Sequence, residues 1–152
     1  MMQNSWFDPF FVFESLSEED KLIQKNVKNF SEDVLKPNVV EHNQNHHFDL
    51  ELYKEFGKLG LLGSTLKTHG GSGASHIAYG LIAYEIEKVD SSYRSSISVQ
   101  SSLVIHPINS FGSEEQKDKY LPDLISGNKI GCFGLTESEA GSDPSSMKTT
   151  YK

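Results

Sequence analysis

The residues best suited to chemistry lie near the end of the chain. There the short apolar run Ile130-Gly131-Cys132-Phe133 leads into Gly134-Leu135-Thr136-Glu137-Ser138-Glu139-Ala140-Gly141-Ser142-Asp143-Pro144-Ser145-Ser146. Backbone N–H groups and hydroxyls in such a loop can converge on the polar or anionic atoms of a cofactor, such as a phosphate or the edge of a flavin. Gly141 would let the backbone come close to them. Composition alone describes an ordinary surface turn between strands just as well, because Gly, Ser and Asp cluster in loops. The histidines carry less. His42, His46 and His47 sit in a polar stretch without the carboxylate or cysteine spacing of a metal site, so no metal is assigned. His69, beside glycines, is expected to be exposed, and His106, before Pro107, to be structural. Cys132 has no basic neighbour to activate it and reads as a small buried apolar residue. Glu85, Glu87 and Lys88 read as the solvated face of a helix.

The elements that must position the loop are helical. Ser17 caps a first helix whose opening residues Glu18, Glu19 and Asp20 suit the positive end of the helix dipole. Ile23, Val27, Phe30 and Val34 form its apolar stripe, and Pro37 is expected to end it. Residues 41–47 read as a polar loop. Asp49 caps a second helix with Leu52, Tyr53, Phe56 and Leu59 on one face, closed by Gly60. Ser75 caps a third, with Ile77, Ala78, Leu81, Ile82, Ile86 and Val89 as its stripe. A serine-rich fourth segment, about 92–109, is expected to be kinked or ended by Pro107. Ser113-Glu114-Glu115-Gln116 is a capping box, and the helix it opens is expected to stop before Pro122. Residues 130–135, apolar and broken by glycine, read as a buried strand. A lone strand cannot satisfy its own backbone, so the chain looks like the front of a longer protein.

Composition narrows the function classes. The 152 residues carry a formal charge of -7, which disfavours nucleic acid and anionic membranes as partners. The single cysteine excludes an intramolecular disulfide and a multi-cysteine zinc site. No apolar run approaches the ~20 residues of a spanning helix, and neither a secretory signal nor a transit peptide is visible. A reducing, soluble compartment is the expectation.

Three stretches resemble the acyl-CoA dehydrogenase family. They are the loop with Thr136-Glu137, Gly141-Ser142-Asp143 and Ser146, the helix exit Phe56-Gly57-Lys58-Leu59-Gly60-Leu61-Leu62-Gly63, and Phe111-Gly112-Ser113-Glu114-Glu115-Gln116-Lys117-Asp118-Lys119-Tyr120-Leu121-Pro122. Within the family the glutaryl-CoA branch is the closest likeness. Val89-Asp90-Ser91-Ser92-Tyr93-Arg94-Ser95, Val99-Gln100-Ser101-Ser102-Leu103-Val104-Ile105-His106-Pro107, Cys132-Phe133-Gly134-Leu135-Thr136-Glu137 and the early Phe7-Asp8-Pro9 carry it. Ser138-Glu139 departs from the uncharged pair expected there, so Glu139 should point to solvent.

The resemblance implies a mainly α fold: an N-terminal extension over 1–16, a helical domain over 17–128, and over 129–152 the first strand of a middle β-barrel. It also implies an FAD-dependent oxidative decarboxylation of glutaryl-CoA to crotonyl-CoA and carbon dioxide. Electrons would pass to an electron-transfer flavoprotein, and the enzyme would be a homotetramer, cytoplasmic in a bacterium or in the mitochondrial matrix of a eukaryote. Phe133, Gly134, Leu135, Thr136, Glu137, Ser138, Glu139, Ala140, Gly141 and Ser142 would meet FAD. Arg94, Ser95 and Ser142 would meet the acyl-CoA, with Arg94 and Ser95 at the distal end of the acyl pocket, where a planar guanidinium can grip the free carboxylate. Without the resemblance, an arginine among serines is more often a solvated surface residue. No catalytic residue is carried over, because the family's glutamate base lies in a later helical domain. The only tryptophan, Trp6, precedes the first helix and cannot supply the family's aromatic wall. Two other readings stay open: a helical interaction module without catalysis, and a dehydrogenase for an uncharged short-chain acyl-CoA.

Overall fold

In the computed structural model, residues 8–151 are described. Residues 1–7 of the N-terminal extension, Trp6 and Phe7 among them, lie outside them. Among the described residues the order is α1 (Glu18–Phe30), α2 (Val39–Gln44), α3 (Leu52–Lys58), α4 (His76–Glu87), α5 (Ser91–Ser98), α6 (His106–Phe111) and α7 (Glu114–Ile125). They surround one core that includes Val27, Leu35, Phe56, Leu61, Leu62, Ile82, Ile86, Ile97, Ile105 and Leu121. None of these helices is long and apolar enough to cross a membrane.

The starts of α1 and α4 are tied together by one carboxylate. Ser17 and Ser75 cap the two helices, their hydroxyls accepting from the N–H groups of Asp20 and Ala78. Both hydroxyls also donate to buried Asp20, Ser17 at 2.6 Å and Ser75 at 2.8 Å. These bonds favour the ionised form and hold the Asp20 carboxyl below its ordinary value. Further along, Gln24 of α1 donates to Glu85 of α4 at 2.7 Å. Glu85 is therefore buried between helices, held also by Lys88 at 3.0 Å, and only Glu87 and Lys88 of that trio meet solvent. Ile77, assigned to the apolar stripe of α4, is instead exposed, because Ala78, Leu81, Ile82 and Ile86 define the buried face.

Pro37 does not end the first helical run. After Phe30 the chain makes a π-helical turn, Ser31–Leu35, in which the Lys36 N–H donates to the Ser31 carbonyl. The extra residue moves the apolar stripe on by one, so Leu35 is 1% exposed while the expected Val34 is 39% exposed. Pro37 falls in the first turn of a tight 3-10 segment, Lys36–Asn38, where its missing N–H costs no helical bond. The run continues as α2, over residues that read as loop in the sequence. Asp49 acts from further upstream, accepting from the N–H groups of Glu51 through its side chain and Leu52 through its carbonyl.

Gly60 closes α3 as expected. At φ +70° it completes a Schellman motif, with Leu61 N–H bonded to Phe56 and Gly60 N–H to Gly57. The α3 backbone also lies directly on the end of α7: a Cβ at Gly127 would stand 2.0 Å from the Tyr53 carbonyl.

Pro107 and Pro122 are also absorbed. α5 runs into a π-helical stretch, Val99–Ile105, and Pro107 occupies the first turn of α6 just beyond it. The capping box of α7 forms, with Ser113 N–H donating to Gln116 at 2.8 Å. That helix passes through Pro122 to Ile125. Leu121 just before the break and Leu124 and Ile125 beyond it are all buried. Each contributes about 1.5–3 kcal/mol, against an interior proline cost of about 3 kcal/mol.

The strand expected over 130–135 does not form among the described residues. The segment has no regular structure, and Ile130, Cys132, Phe133 and Leu135 are exposed rather than buried. Its peptide groups lack a neighbouring strand, and an unpaired strand has nothing to hold it.

Two outcomes test these contacts. Leu35→Ala should lower the unfolding free energy by about 2–5 kcal/mol, and Val34→Ala by less than about 1, in urea titrations. Asp20→Asn should be less stable than the parent at neutral pH. A lowered folded pKa gives stability that is present above the unfolded value and lost below it. The difference in Tm should therefore shrink as pH falls below the ordinary carboxylate value of 3.8.

Candidate functional site

Arg94 and Ser95 are the fourth and fifth residues of α5, which Asp90 caps by accepting from the Ser92 N–H at 2.8 Å. Asn43 of α2 donates to the same carboxylate at 3.1 Å. The Ser92 hydroxyl and the Asn43 amide hold the Asp90 carboxyl below the usual range. One turn along, buried Tyr93 faces α2, its hydroxyl 3.3 Å from His42 Nδ1, and burial raises its pKa. The His42 ring packs edge-on against that of His47, at 4.9 Å. No cluster of three or more metal-ligating side chains is found among the described residues.

Arg94 is anchored from behind. Its Nε donates to Glu87 Oε2 at 2.6 Å, and Glu87 also accepts from Ser91 Oγ at 2.6 Å. The Ser91 hydroxyl and then the Arg94 guanidinium hold the Glu87 carboxyl below its ordinary value. Among the described residues no acceptor is paired with the terminal nitrogens of Arg94, and its side chain is 37% exposed. The guanidinium is thus fixed at one nitrogen and keeps its outer fork free, beside a shallow groove lined by Gly80, Ala83 and Tyr84. Ser95 is exposed one residue further on.

The glycine- and serine-rich loop is closed on itself. Glu137 and Ala140 exchange two backbone bonds, both 3.1 Å. The Glu137 carboxylate accepts from the N–H groups of Lys148 at 2.9 Å and Thr149 at 3.0 Å, which lowers its pKa. Glu137 is therefore engaged within the chain, through contacts 11 and 12 residues away that no local pattern signals. Asp143 caps the turn Pro144–Ser146 by accepting from the Ser145 N–H and hydroxyl.

Thr136 and Ser142 take no part in that turn. Among the described residues neither hydroxyl has a protein partner, nor do the N–H groups of Thr136, Gly141 and Ser142. Both side chains are exposed, as are Phe133, Gly134, Leu135, Ser138 and Glu139; Ala140 is buried. A Cβ at Gly141 or Gly134 would meet nothing within 4 Å, so any close approach there is to a group outside this chain.

Arg94 and Ser95 make no hydrogen bond to this loop among the described residues. One side chain joins the two regions. Gln100, six residues after Arg94 and about 9 Å along the helix axis, accepts from the Gly131 N–H at 2.9 Å. The sequence reading passed over Gln100, since a single glutamine in a serine-rich helix gives no sign of being buried. His69 departs from expectation too: it is mostly buried and pairs with Asp118 at 3.2 Å.

Comparison with known proteins identifies the family of the helical domain. The family model for the acyl-CoA dehydrogenase N-terminal domain matches residues 17–128. The chain belongs to the acyl-CoA dehydrogenase family, whose N-terminal helical domain it forms. It is similar to glutaryl-CoA dehydrogenase from Mycobacterium smegmatis, with 45% identity, a TM-score of 0.89, and cover of 93% of this chain and 37% of that one. It is likewise similar to a glutaryl-CoA dehydrogenase from Mycobacterium smegmatis in complex with FADH2, with 43% identity, a TM-score of 0.89, and cover of 93% of this chain and 36% of that one. It is also similar to mitochondrial isovaleryl-CoA dehydrogenase from Bos taurus, 40% identical over 136 residues, which are 88% of this chain and 32% of that protein. The chain thus spans about a third of the length of these relatives.

Because the Thr136 and Ser142 hydroxyls are unpartnered, Thr136→Val and Ser142→Ala should each change the unfolding free energy of this chain by less than about 0.5 kcal/mol. Thermal and urea unfolding of the two variants check this.

Proposed function

We propose that this chain is the N-terminal part of an FAD-dependent glutaryl-CoA dehydrogenase, which converts glutaryl-CoA to crotonyl-CoA and carbon dioxide. The free outer fork of Arg94, held by Glu87 and followed by Ser95, is the observation that carries the reading. A guanidinium fixed at Nε still presents two parallel N–H groups, the geometry that a carboxylate at the far end of an acyl chain accepts. Glutaryl-CoA has such a carboxylate; most acyl-CoA substrates do not.

The loop residues fit a flavin. Thr136, Gly141 and Ser142 offer unpaired N–H groups, two of the three add a free hydroxyl, and Phe133 and Leu135 offer exposed apolar surface. Polar ring edges and phosphates need donors of this kind. When bound, FAD supplies the acceptor for the hydride leaving the acyl β-carbon. Thr136 would meet the ring edge, and Ser142 a phosphate or the thioester arm of the substrate. Glu137 contributes through the loop closure it makes with Lys148 and Thr149. The general base belongs to a part of the enzyme beyond these residues. An electron-transfer flavoprotein as electron acceptor, a tetrameric assembly, and a cytoplasmic or mitochondrial-matrix setting complete the reading.

A second reading, a dehydrogenase for an uncharged short-chain acyl-CoA, is favoured by one observation. The Glu87 carboxylate lies 2.6 Å from Arg94 and offsets part of its charge. The likeness to an isovaleryl-CoA enzyme is compatible with it.

The test joins this chain in frame to the part of the M. smegmatis enzyme that it does not cover. The chimera should hold FAD and turn over glutaryl-CoA, while the 152-residue chain alone should bind FAD weakly or not at all. Arg94→Ala should cost the chimera about 2–5 kcal/mol in kcat/KM for glutaryl-CoA, roughly 30-fold or more, and far less for butyryl-CoA. Equal losses on the two substrates would assign Arg94 to the fold and favour the second reading.

A further inference from the structure

Gln100 is 0% exposed, and both ends of its amide are in use. Its Nε2 donates to the Leu124 carbonyl at 2.9 Å and to the Lys129 carbonyl at 2.8 Å. Its Oε1 accepts from the Gly131 N–H at 2.9 Å. Leu124 lies in the last turn of α7, and its carbonyl also accepts from the Gly127 N–H at 3.4 Å. Lys129 and Gly131 flank Ile130. Bonding the carbonyl of one residue and the N–H of the next but one is what a neighbouring strand does to an extended chain. A carboxamide can do the same, because it carries a donor and an acceptor like a peptide group. Gln100 therefore stands in for a strand partner at the first residues beyond the helical body.

A second observation fixes the same point. A Cβ at Gly131 would lie 2.3 Å from Val104 Cγ1 and 2.9 Å from Cγ2. The backbone thus rests directly on the helix one turn beyond Gln100. Residues 132–136 then run free to the loop closure at Glu137 and Ala140. The helical run that holds Gly131 is the one that carries Arg94 and Ser95.

We propose that Gln100 is a positioning residue that, with Val104, anchors the root of the cofactor loop to the helix bearing Arg94 and so fixes their relative placement. Glutamine is required chemically. Glutamate cannot donate to two carbonyls, and leucine would leave the Lys129 carbonyl and the Gly131 N–H without partners. The assignment of the loop to a cofactor rests on the reading under Proposed function; the anchoring does not.

Two measurements separate them. In the 152-residue chain, backbone amide exchange is followed by NMR for Gln100→Leu and Gly131→Ala. The parent should protect the Gly131 amide. Both variants should speed exchange at the residue 131 amide by about tenfold or more, leaving Phe56 and Ile86 within about twofold. If Gln100→Leu does not fold, Gly131→Ala decides alone, since it leaves Gln100 intact, and adding Val104→Ala should restore part of the protection. An unprotected Gly131 in the parent, or unchanged exchange in Gly131→Ala, overturns the proposal. In the M. smegmatis chimera, Gln100→Leu or Gly131→Ala should weaken FAD binding about tenfold or more by titration, and unchanged affinity likewise overturns it. A parent chimera that binds no FAD defeats the functional reading instead, and the exchange result still decides the anchoring.

Discussion

Every peptide group buried in this helical body needs a hydrogen-bond partner, and three prolines remove donors along its length. The chain meets the constraint differently each time. Pro37 is set in a tight turn where no bond is lost, and a preceding π turn shifts the register so that Leu35 replaces Val34 in the core. Pro107 follows a longer π-helical stretch that carries the run on into α6. Pro122 stays inside α7, because Leu121, Leu124 and Ile125 bury enough apolar surface to offset the missing bond. The result is a nearly continuous helical framework in place of the segments that prolines would ordinarily separate.

The same accounting explains how charges are placed. Asp20 is buried, yet it takes hydroxyls from the caps of two helices and so locks their starts together. Glu85 is buried between α1 and α4 with an amide and an ammonium as partners. Glu87 lies near the surface and orients Arg94 instead of closing it off. Carboxylates inside the body thus serve packing, whereas Glu87 fixes one nitrogen of Arg94 and leaves its outer fork free.

The loop beyond Gly131 inverts the pattern. The helices satisfy nearly all their polar groups internally, whereas Thr136, Gly141 and Ser142 leave donors open and Phe133 and Leu135 leave apolar surface exposed. Such a segment is held at its root and at its own closure, with its open donors turned outward. The relatives run to about three times the length of this chain.

Much of the framework was legible in the sequence because it is local. Ser17, Ser75 and Ser113 announced their helices, Gly60 its Schellman end, and the spacing of Val27 and Phe30 its apolar face; each signal acts within about five residues. The family was legible from the loop itself. What the sequence did not carry was decided by contacts between distant segments. Prolines that stop a helix on local grounds did not, because burial and π turns outweighed them. Ile77 and Cys132 turned outward and Glu85 inward because other elements, not their neighbours in sequence, determine which face is covered. The apolar run at 130–135 reads as a strand by composition, but a strand exists only with a partner, and here a glutamine side chain 31 residues earlier supplies the one peptide-like contact it has.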